Sequence, residues 1–371
     1  MDFSLTETQQ ELTALTGQIL GDRMTLQRLK AVERSDDGFD RDTYAELATA
    51  NLLGVALPEA HGGLGFGFLD LCLVLQEIGR NVAPFPVVPS LVSGALPIAR
   101  FGSDEQQALL DGVVAGTTIL TAALTEMLAP ADAPTTTAKP DGDGWLVEGV
   151  KTCVPYLHVA SHVLVPASVG DDVAVFLVPT DAAGITTQRQ ETENHEPQFH
   201  VELDGVRVDA GALIGDVERG REILEWTLAR TTIALCALAS GVADRATRLT
   251  AQYSIDRKQF DRQIATFQAV GQRMAECFID SQGIELTMLQ AATHLDEGRV
   301  VPLEVATAKF WAAEGGSRIG HAALHVHGGI SIDVDYPIHR YFLWIKQIEF
   351  TLGSATPQLL SIGRELADTP A

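Results

Sequence analysis

The 371-residue sequence predicts three consecutive parts: an all-helical N-terminal domain over 1–115, an antiparallel β domain over 116–216 and a helical bundle over 217–371. Three observations predict this order. At both ends of the chain, apolar residues recur every three or four positions, the spacing of one helix face. In the middle they alternate with polar residues or run in short blocks between Gly- and Asp-rich turns. Hydrophobic residues make up 46% of the chain, enough for substantial cores and too many for a disordered one.

Each element has a local signal. Ser4-Leu5-Thr6-Glu7 resembles a capping box, with the serine oxygen placed to accept an early helical N–H. Tyr44, Leu47 and Ala48 keep helical spacing before Gly54, as do Leu71, Val74, Leu75 and Ile78 before Gly79. Pro84, Pro86 and Pro89 predict an extended passage, because proline lacks the helical N–H. Trp145–Val147, His162–Val165 and Val173–Val178 read as strands, with Asp141-Gly142-Asp143-Gly144 as a turn. Val201, Leu203, Val206 and Val208 read as a half-buried strand. From Leu224 to Tyr253 an apolar stripe of near-heptad period predicts one long bundle helix, and further long helices follow at about 267–297 and 303–326.

Composition excludes several function classes. The chain carries 49 acidic and 26 basic residues, a net charge of −23, which repels nucleic acid and anionic membranes. The N-terminus lacks the basic start and apolar stretch of a signal peptide, and no apolar run of about 18 residues predicts a membrane span. The spacing of Cys72, Cys153, Cys236 and Cys277 resembles neither a zinc site nor a disulfide framework, so reduced thiols in a cytoplasmic protein are expected.

Few motifs carry chemistry by themselves. There is no phosphate-binding loop; Gly62–Gly67 has the wrong glycine spacing, follows no strand and reads as a plain loop. His321 and His325 share a helix face with His327 nearby, but no carboxylate or cysteine completes a metal site, and none is expected. From Tyr253 to Gln268, basic and aromatic residues crowd a turn between two helices; taken alone, this reads as a salt-bridged corner. His325-Val326-His327-Gly328-Gly329 precedes Asp335-Tyr336-Pro337. Paired glycines admit another molecule to the backbone, or simply stop a helix.

In this order, these segments resemble the acyl-CoA dehydrogenase family over nearly the whole chain. Pro58-Glu59-Ala60-His61-Gly62-Gly63 looks like its N-terminal loop, Asp204–Val208 like its final β-domain strand, and Arg257-x-x-Phe260…Phe267-Gln268 and Gly328-Gly329 like its C-terminal marks. The resemblance implies an acyl-CoA dehydrogenase-like fold: an N-terminal all-α domain, a middle antiparallel β domain and a C-terminal four-helix bundle. It implies FAD at a subunit interface and α,β-desaturation of an acyl-CoA thioester, a reaction that needs a carboxylate base. At the family's usual base position this chain has Leu352, and at the alternative position on the first bundle helix it has Thr231. The family's flavin-ring cradle is eroded to Thr125–Pro130 and Cys153-Val154-Pro155-Tyr156, where Pro155 has no N–H to offer.

The nucleotide half of the cofactor site is retained by the same resemblance. Arg257 would meet pyrophosphate; Phe260, Phe267 and Gln268 would line the cofactor; His325, Val326, His327, Gly328 and Gly329 would lie near the adenine, with His325 standing where the family usually has Gln. This pattern is most similar to the non-catalytic (beta) subunit of heterotetrameric α2β2 steroid side-chain acyl-CoA dehydrogenases. The FAD would be shared with a homologous catalytic partner that binds most of the acyl-CoA, and the chain alone would be inactive. Three other readings stay open: a self-sufficient dehydrogenase using Glu349, three residues before Leu352; a flavin monooxygenase of the same fold; and a purely structural subunit.

Overall fold

The computed structural model describes residues 3–368. The helices are α1 (Glu7–Arg23), α2 (Leu26–Val32), α3 (Arg41–Thr49), α4 (Phe68–Arg80), α5 (Leu96–Phe101), α6 (Asp104–Gln107), α7 (Leu109–Val114), α8 (Gly220–Asp256), α9 (Gln268–Asp296), α10 (Pro302–His327), α11 (Ile338–Phe350) and α12 (Ala355–Asp368). The strands are β1 (Leu120–Ala122), β2 (Thr137–Asp141), β3 (Gly144–Pro155), β4 (His162–Val169), β5 (Asp172–Pro179), β6 (Ile185–Gln190), β7 (Gln198–Val208), β8 (Lys258–Gln259) and β9 (Arg262–Gln263). Helices, then strands, then helices follow one another as the periodicities predict. By contacts the chain divides into two compact units, Met1–Lys30 with Phe68–Ala83 and Thr232–Ala371, and Ala31–Gly67 with Pro84–Thr231.

In the first unit, α4 crosses α8 with backbone against backbone. A Cβ on Gly79 would lie 2.1 Å from the Leu238 carbonyl oxygen, and one on Gly241 would lie 1.8 Å from that of Gln76. Gly79 therefore does not stop the helix, as its place after an apolar run suggests; α4 continues to Arg80 because the glycine is needed for contact. Beside it, Gln76 Nε2 donates to Ser240 Oγ (2.9 Å) and Glu285 Oε1 (3.1 Å), and Arg80 Nε donates to Asp244 Oδ2 (3.1 Å). The Asp296 carboxylate at the end of α9 accepts from the Phe68 and Leu69 N–H groups (2.6 and 3.2 Å), capping the first turn of α4. The capping box of α1 is built on Thr6 and Gln9, two residues later than Ser4 and Glu7, because the helix starts at Glu7. By length and composition alone, the helical stretch Val217–Asp256 would cross a membrane, contrary to the sequence expectation, but 83% of its most apolar window is buried in the protein.

The second unit holds a seven-stranded sheet in the order β1-β4-β2-β3-β7-β6, with β5 paired to β4. Its long ladders are antiparallel; β1 runs parallel to β4 over three residue pairs, and β2 meets the other end of β4 in parallel at Thr137 and Ser168. Val147, Val165, Phe176, Val201 and Val206 form its buried centre. Pro84 and Pro86 lie outside helices, whereas Pro89 enters a π-type helix (Val88–Ala95) in its first turn, where a missing N–H breaks no bond.

A buried ion pair fixes the loop after β1. Lys151 Nζ on β3 donates to Glu126 Oε1 and to the Pro166 carbonyl, both at 2.7 Å, and its side chain is 1% exposed. Glu126 also accepts from the Thr135 and Thr136 N–H groups (2.7 and 3.0 Å) and from the Thr135 hydroxyl. Burial alone would raise the Glu126 carboxyl; Lys151 and Thr135 outweigh it and hold the group at about 2.

Two outcomes follow from these contacts. Gly79→Ala forces a methyl group into a carbonyl and should destabilise the chain by about 1–3 kcal/mol or more in denaturant unfolding; an unchanged midpoint would mean that α4 and α8 can part freely. Glu126→Gln leaves the buried Lys151 without its counter-charge and should cost about 3–5 kcal/mol. Because the Glu126 carboxyl lies lower in the folded chain than its ordinary 4.5, its contribution is complete above pH 4.5 and disappears as pH falls toward 2. That acid-sensitive component should be missing from the stability profile of the variant.

Candidate functional site

The candidate cofactor residues lie in the first unit, where α8 gives way to α9 and where α10 ends. The last turn of α8 closes with the Arg257 N–H donating to the Tyr253 carbonyl (2.9 Å). A two-stranded hairpin, β8 and β9, follows and is shut by the Ile264 N–H donating to the Arg257 carbonyl (2.9 Å). Its turn residues Phe260 and Asp261 have φ of 53° and 60°, the left-handed pair that a two-residue hairpin demands. The turn holds Phe260 88% exposed, 6.3 Å from Phe267 ring to ring, while the Arg262 guanidinium sits 4.0 Å from the Phe267 ring centre. Gln268 is the exposed first residue of α9.

This corner is not salt-bridged, contrary to the plain reading of its sequence. Among the described residues, Arg257, Lys258 and Arg262 have no carboxylate partner, and all three are exposed. Three cations within six residues therefore stand unneutralised in a chain of net charge −23. Such a cluster concentrates positive potential where an anion could be held by charge-assisted hydrogen bonds.

The glycine pair lies at the other segment. Gly328 ends α10 with φ 64° and ψ −139°, its N–H donating to the Leu324 carbonyl, so it is a helix stop as well as a bend. A Cβ on Gly328 or Gly329 would meet nothing within 4 Å. The backbone there faces open space, which suits the close approach of a flat ligand. The preceding histidines diverge. His321 meets Phe342 edge-on, His325 Nδ1 lies 2.7 Å from Arg273 Nη1 on α9, and the buried His327 stacks on Tyr253 at 4.3 Å. Val326 is half-buried. Exposed cations, the exposed Phe260 ring beside the half-buried Phe267, and open glycine backbone fit the nucleotide end of FAD. The structure brings the two segments together through Tyr253 and His327. Sequence reasoning placed Tyr253 at the end of an apolar stripe and the start of the basic, aromatic turn without giving it a partner, and did not use Arg273; nothing in the spacing marks the contact of either with the glycine segment.

Of the positions considered for a base, Leu352 and Thr231 carry no carboxylate, and the carboxylate of Glu349 is ion-paired. Leu352 follows α11 with φ 56°, and its carbonyl accepts from Gln358 Nε2 (3.2 Å). The Glu349 carboxylate is held by Lys346 Nζ at 2.6 Å, and its carbonyl accepts from the buried Lys309 Nζ at 3.1 Å. Thr231 is buried in the second unit, 3.0 Å from Ser93 Oγ and donating to the Thr227 carbonyl (2.8 Å). In that unit Cys153 is exposed with φ 53°, its N–H donating to Gln190 Oε1 (2.9 Å). The Pro155 carbonyl accepts from Thr121 Oγ1 (2.6 Å). Leu128, in the loop tethered by Glu126, is 95% exposed.

Comparison with known proteins accounts for this arrangement of elements. Residues 6–117 match the acyl-CoA dehydrogenase N-terminal domain, and residues 218–367 match the acyl-CoA dehydrogenase C-terminal domain. The chain is 41% identical to acyl-CoA dehydrogenase FadE27 of Mycobacterium tuberculosis over all of both chains. Among solved structures it resembles a chain of the ChsE4-ChsE5 complex from Mycobacterium tuberculosis (41% identity, TM-score 0.95, all of both chains). It also resembles a chain of the Tcur3481-Tcur3483 steroid ACAD G363A variant (44% identity, TM-score 0.93, 98% of both chains). With both terminal domains matched and full-length relatives above 40% identity, the chain belongs to the acyl-CoA dehydrogenase family.

Proposed function

We propose that this chain is the non-catalytic subunit of a heteromeric acyl-CoA dehydrogenase and donates the nucleotide half of a FAD site shared with a homologous catalytic partner. The observation that carries the proposal is the unneutralised trio Arg257, Lys258 and Arg262 in the same unit as the open backbone of Gly328 and Gly329, in a chain whose base position holds Leu352. Arg257 binds pyrophosphate oxygens. Phe260, Phe267 and Gln268 cover the cofactor, and His325 to Gly329 border the adenine. FAD, when bound, supplies the hydride acceptor for α,β-desaturation of an acyl-CoA thioester. The α-proton goes to a carboxylate of the partner, since Leu352 and Thr231 cannot accept it.

Two solved relatives support the heteromeric reading, one described as a two-protein complex and the other as a steroid ACAD formed by two proteins. On that likeness the assembly is an α2β2 heterotetramer acting in steroid side-chain β-oxidation, with the acyl-CoA held mainly by the partner. The four cysteines, all free thiols, suit a cytoplasmic enzyme. A self-sufficient dehydrogenase using Glu349 is less well supported, because Lys346 already neutralises that carboxylate. A flavin monooxygenase would need a ring cradle, and Pro155 and the eroded Thr125–Pro130 segment supply little of one.

Purified alone, the chain should show little flavin absorbance and no dehydrogenase activity with acyl-CoA thioesters. Co-expressed with its partner, it should hold two flavins per tetramer; four would overturn the shared-site reading. Arg257→Ala should lower flavin occupancy of the complex several-fold, read from the ratio of visible to protein absorbance. Full occupancy in that variant would remove Arg257 from the site.

A further inference from the structure

We infer that Tyr253, His327 and Tyr336 form a positioning cluster that sets the spacing between the cationic hairpin and the glycine turn, so that both can grip one cofactor. The inference rests on the cofactor reading above and assigns roles to side chains that need not touch the cofactor themselves.

Tyr253 belongs to both segments at once. Its carbonyl accepts from the Arg257 N–H (2.9 Å), which fixes where the hairpin leaves α8. Its hydroxyl donates to the His327 carbonyl (3.3 Å), the last peptide before Gly328. Its ring stacks on the His327 imidazole at 4.3 Å with 26° between the planes. One side chain thus ties the start of the hairpin to the start of the glycine turn.

The imidazole has one tautomer that satisfies both of its neighbours. Nδ1 lies 2.8 Å from the Ala323 carbonyl, which can only accept, so Nδ1 carries the proton. In the neutral ring Nε2 is then an acceptor and takes the Tyr336 hydroxyl at 3.1 Å. Burial favours that neutral ring by pulling its pKa down, although the Ala323 carbonyl opposes the shift. Tyr336 in turn lies edge-on to Tyr253 at 6.4 Å, closing the cluster. Gly328, with an uncommon φ and ψ, has no side chain with which to fix itself; the histidine before it is the anchor.

The test uses the complex with the catalytic partner, stripped of flavin and titrated with FAD. Tyr253→Phe keeps the ring stack and removes the hydroxyl bond; it should weaken FAD binding about three- to tenfold, the worth of one hydrogen bond. Tyr336→Phe should act in the same direction while the complex still elutes as an assembled tetramer. A merely structural role would lower the unfolding temperature and leave the FAD affinity of the folded complex unchanged, which would overturn the inference. The double variant Tyr253→Phe with Arg257→Ala separates the cases further. If Tyr253 acts by placing Arg257, its loss on the Arg257→Ala background should be clearly smaller than on the wild type. Losses that multiply would overturn the positioning role. If Arg257→Ala itself leaves FAD binding intact, it is the cofactor reading that fails.

Discussion

The contact between α4 and α8 at Gly79 and Gly241 is the constraint on which the candidate site depends. Two helices can touch backbone to backbone only where side chains are absent, and here each glycine faces a carbonyl of the other helix. The Gln76–Ser240 and Arg80–Asp244 bonds on either side fix rotation as well as distance. Asp244 is thirteen residues before Arg257, about 20 Å along a helix at 1.5 Å per residue. A helix locked at that point delivers its last turn, and Tyr253 with it, to a defined place. The hairpin and the glycine turn then need only local bonds to complete the geometry.

Electrostatics gives the same corner its direction. A chain of net charge −23 repels anions over most of its surface, so an anionic cofactor is drawn to the few places where cations lack partners. Most basic side chains of the described fold are spent on neighbours: Arg318 on Asp280 and Glu314, Arg219 on Glu222, Arg248 on Asp244. Arg257, Lys258 and Arg262 are not. They sit on or beside a hairpin whose strands are only two residues each and are exposed at every strand position. Exposed apolar groups in that unit, Ile332 at the end of the short 3-10 turn that begins at Gly328 and Phe260 at the hairpin tip, add surface that association with another chain would bury.

The parts readable in the sequence were those set by periodicity. The stripe from Leu224 to Tyr253 became α8, and the segments expected at 267–297 and 303–326 became α9 and α10 almost residue for residue. Glycine and proline were harder, because their meaning depends on what lies opposite. Gly79 reads as a stop until Leu238 is seen against it, and Pro89 as a breaker until it falls in a first helical turn. The site was readable only in part for the same reason. Arg257, Phe260 and the glycine pair are marked by residue type and family pattern. Among the described residues no carboxylate pairs with Arg257, and the tie between Tyr253 and His327 joins residues 74 positions apart; spacing along the chain carries no trace of either.

The turn at Leu352 shows how scaffold and chemistry can part company. A leucine at φ 56° is held in a conformation that costs of order 1–3 kcal/mol, and such strain persists only where surrounding bonds impose it. Those bonds are present. Lys309 donates to the Ile348 and Glu349 carbonyls at the end of α11, Gln358 donates to the Leu352 carbonyl, and Gly353 follows at φ 98°. None of them involves the Leu352 side chain. The shape of the turn is therefore set from outside, by a buried lysine and a glutamine on the next helix, and is indifferent to whether a carboxylate or an isobutyl group occupies it. A scaffold built this way needs no carboxylate at residue 352 to keep its fold. In the proposed assembly, that allows one subunit to keep the architecture and the nucleotide grip while the other retains the proton-transfer group.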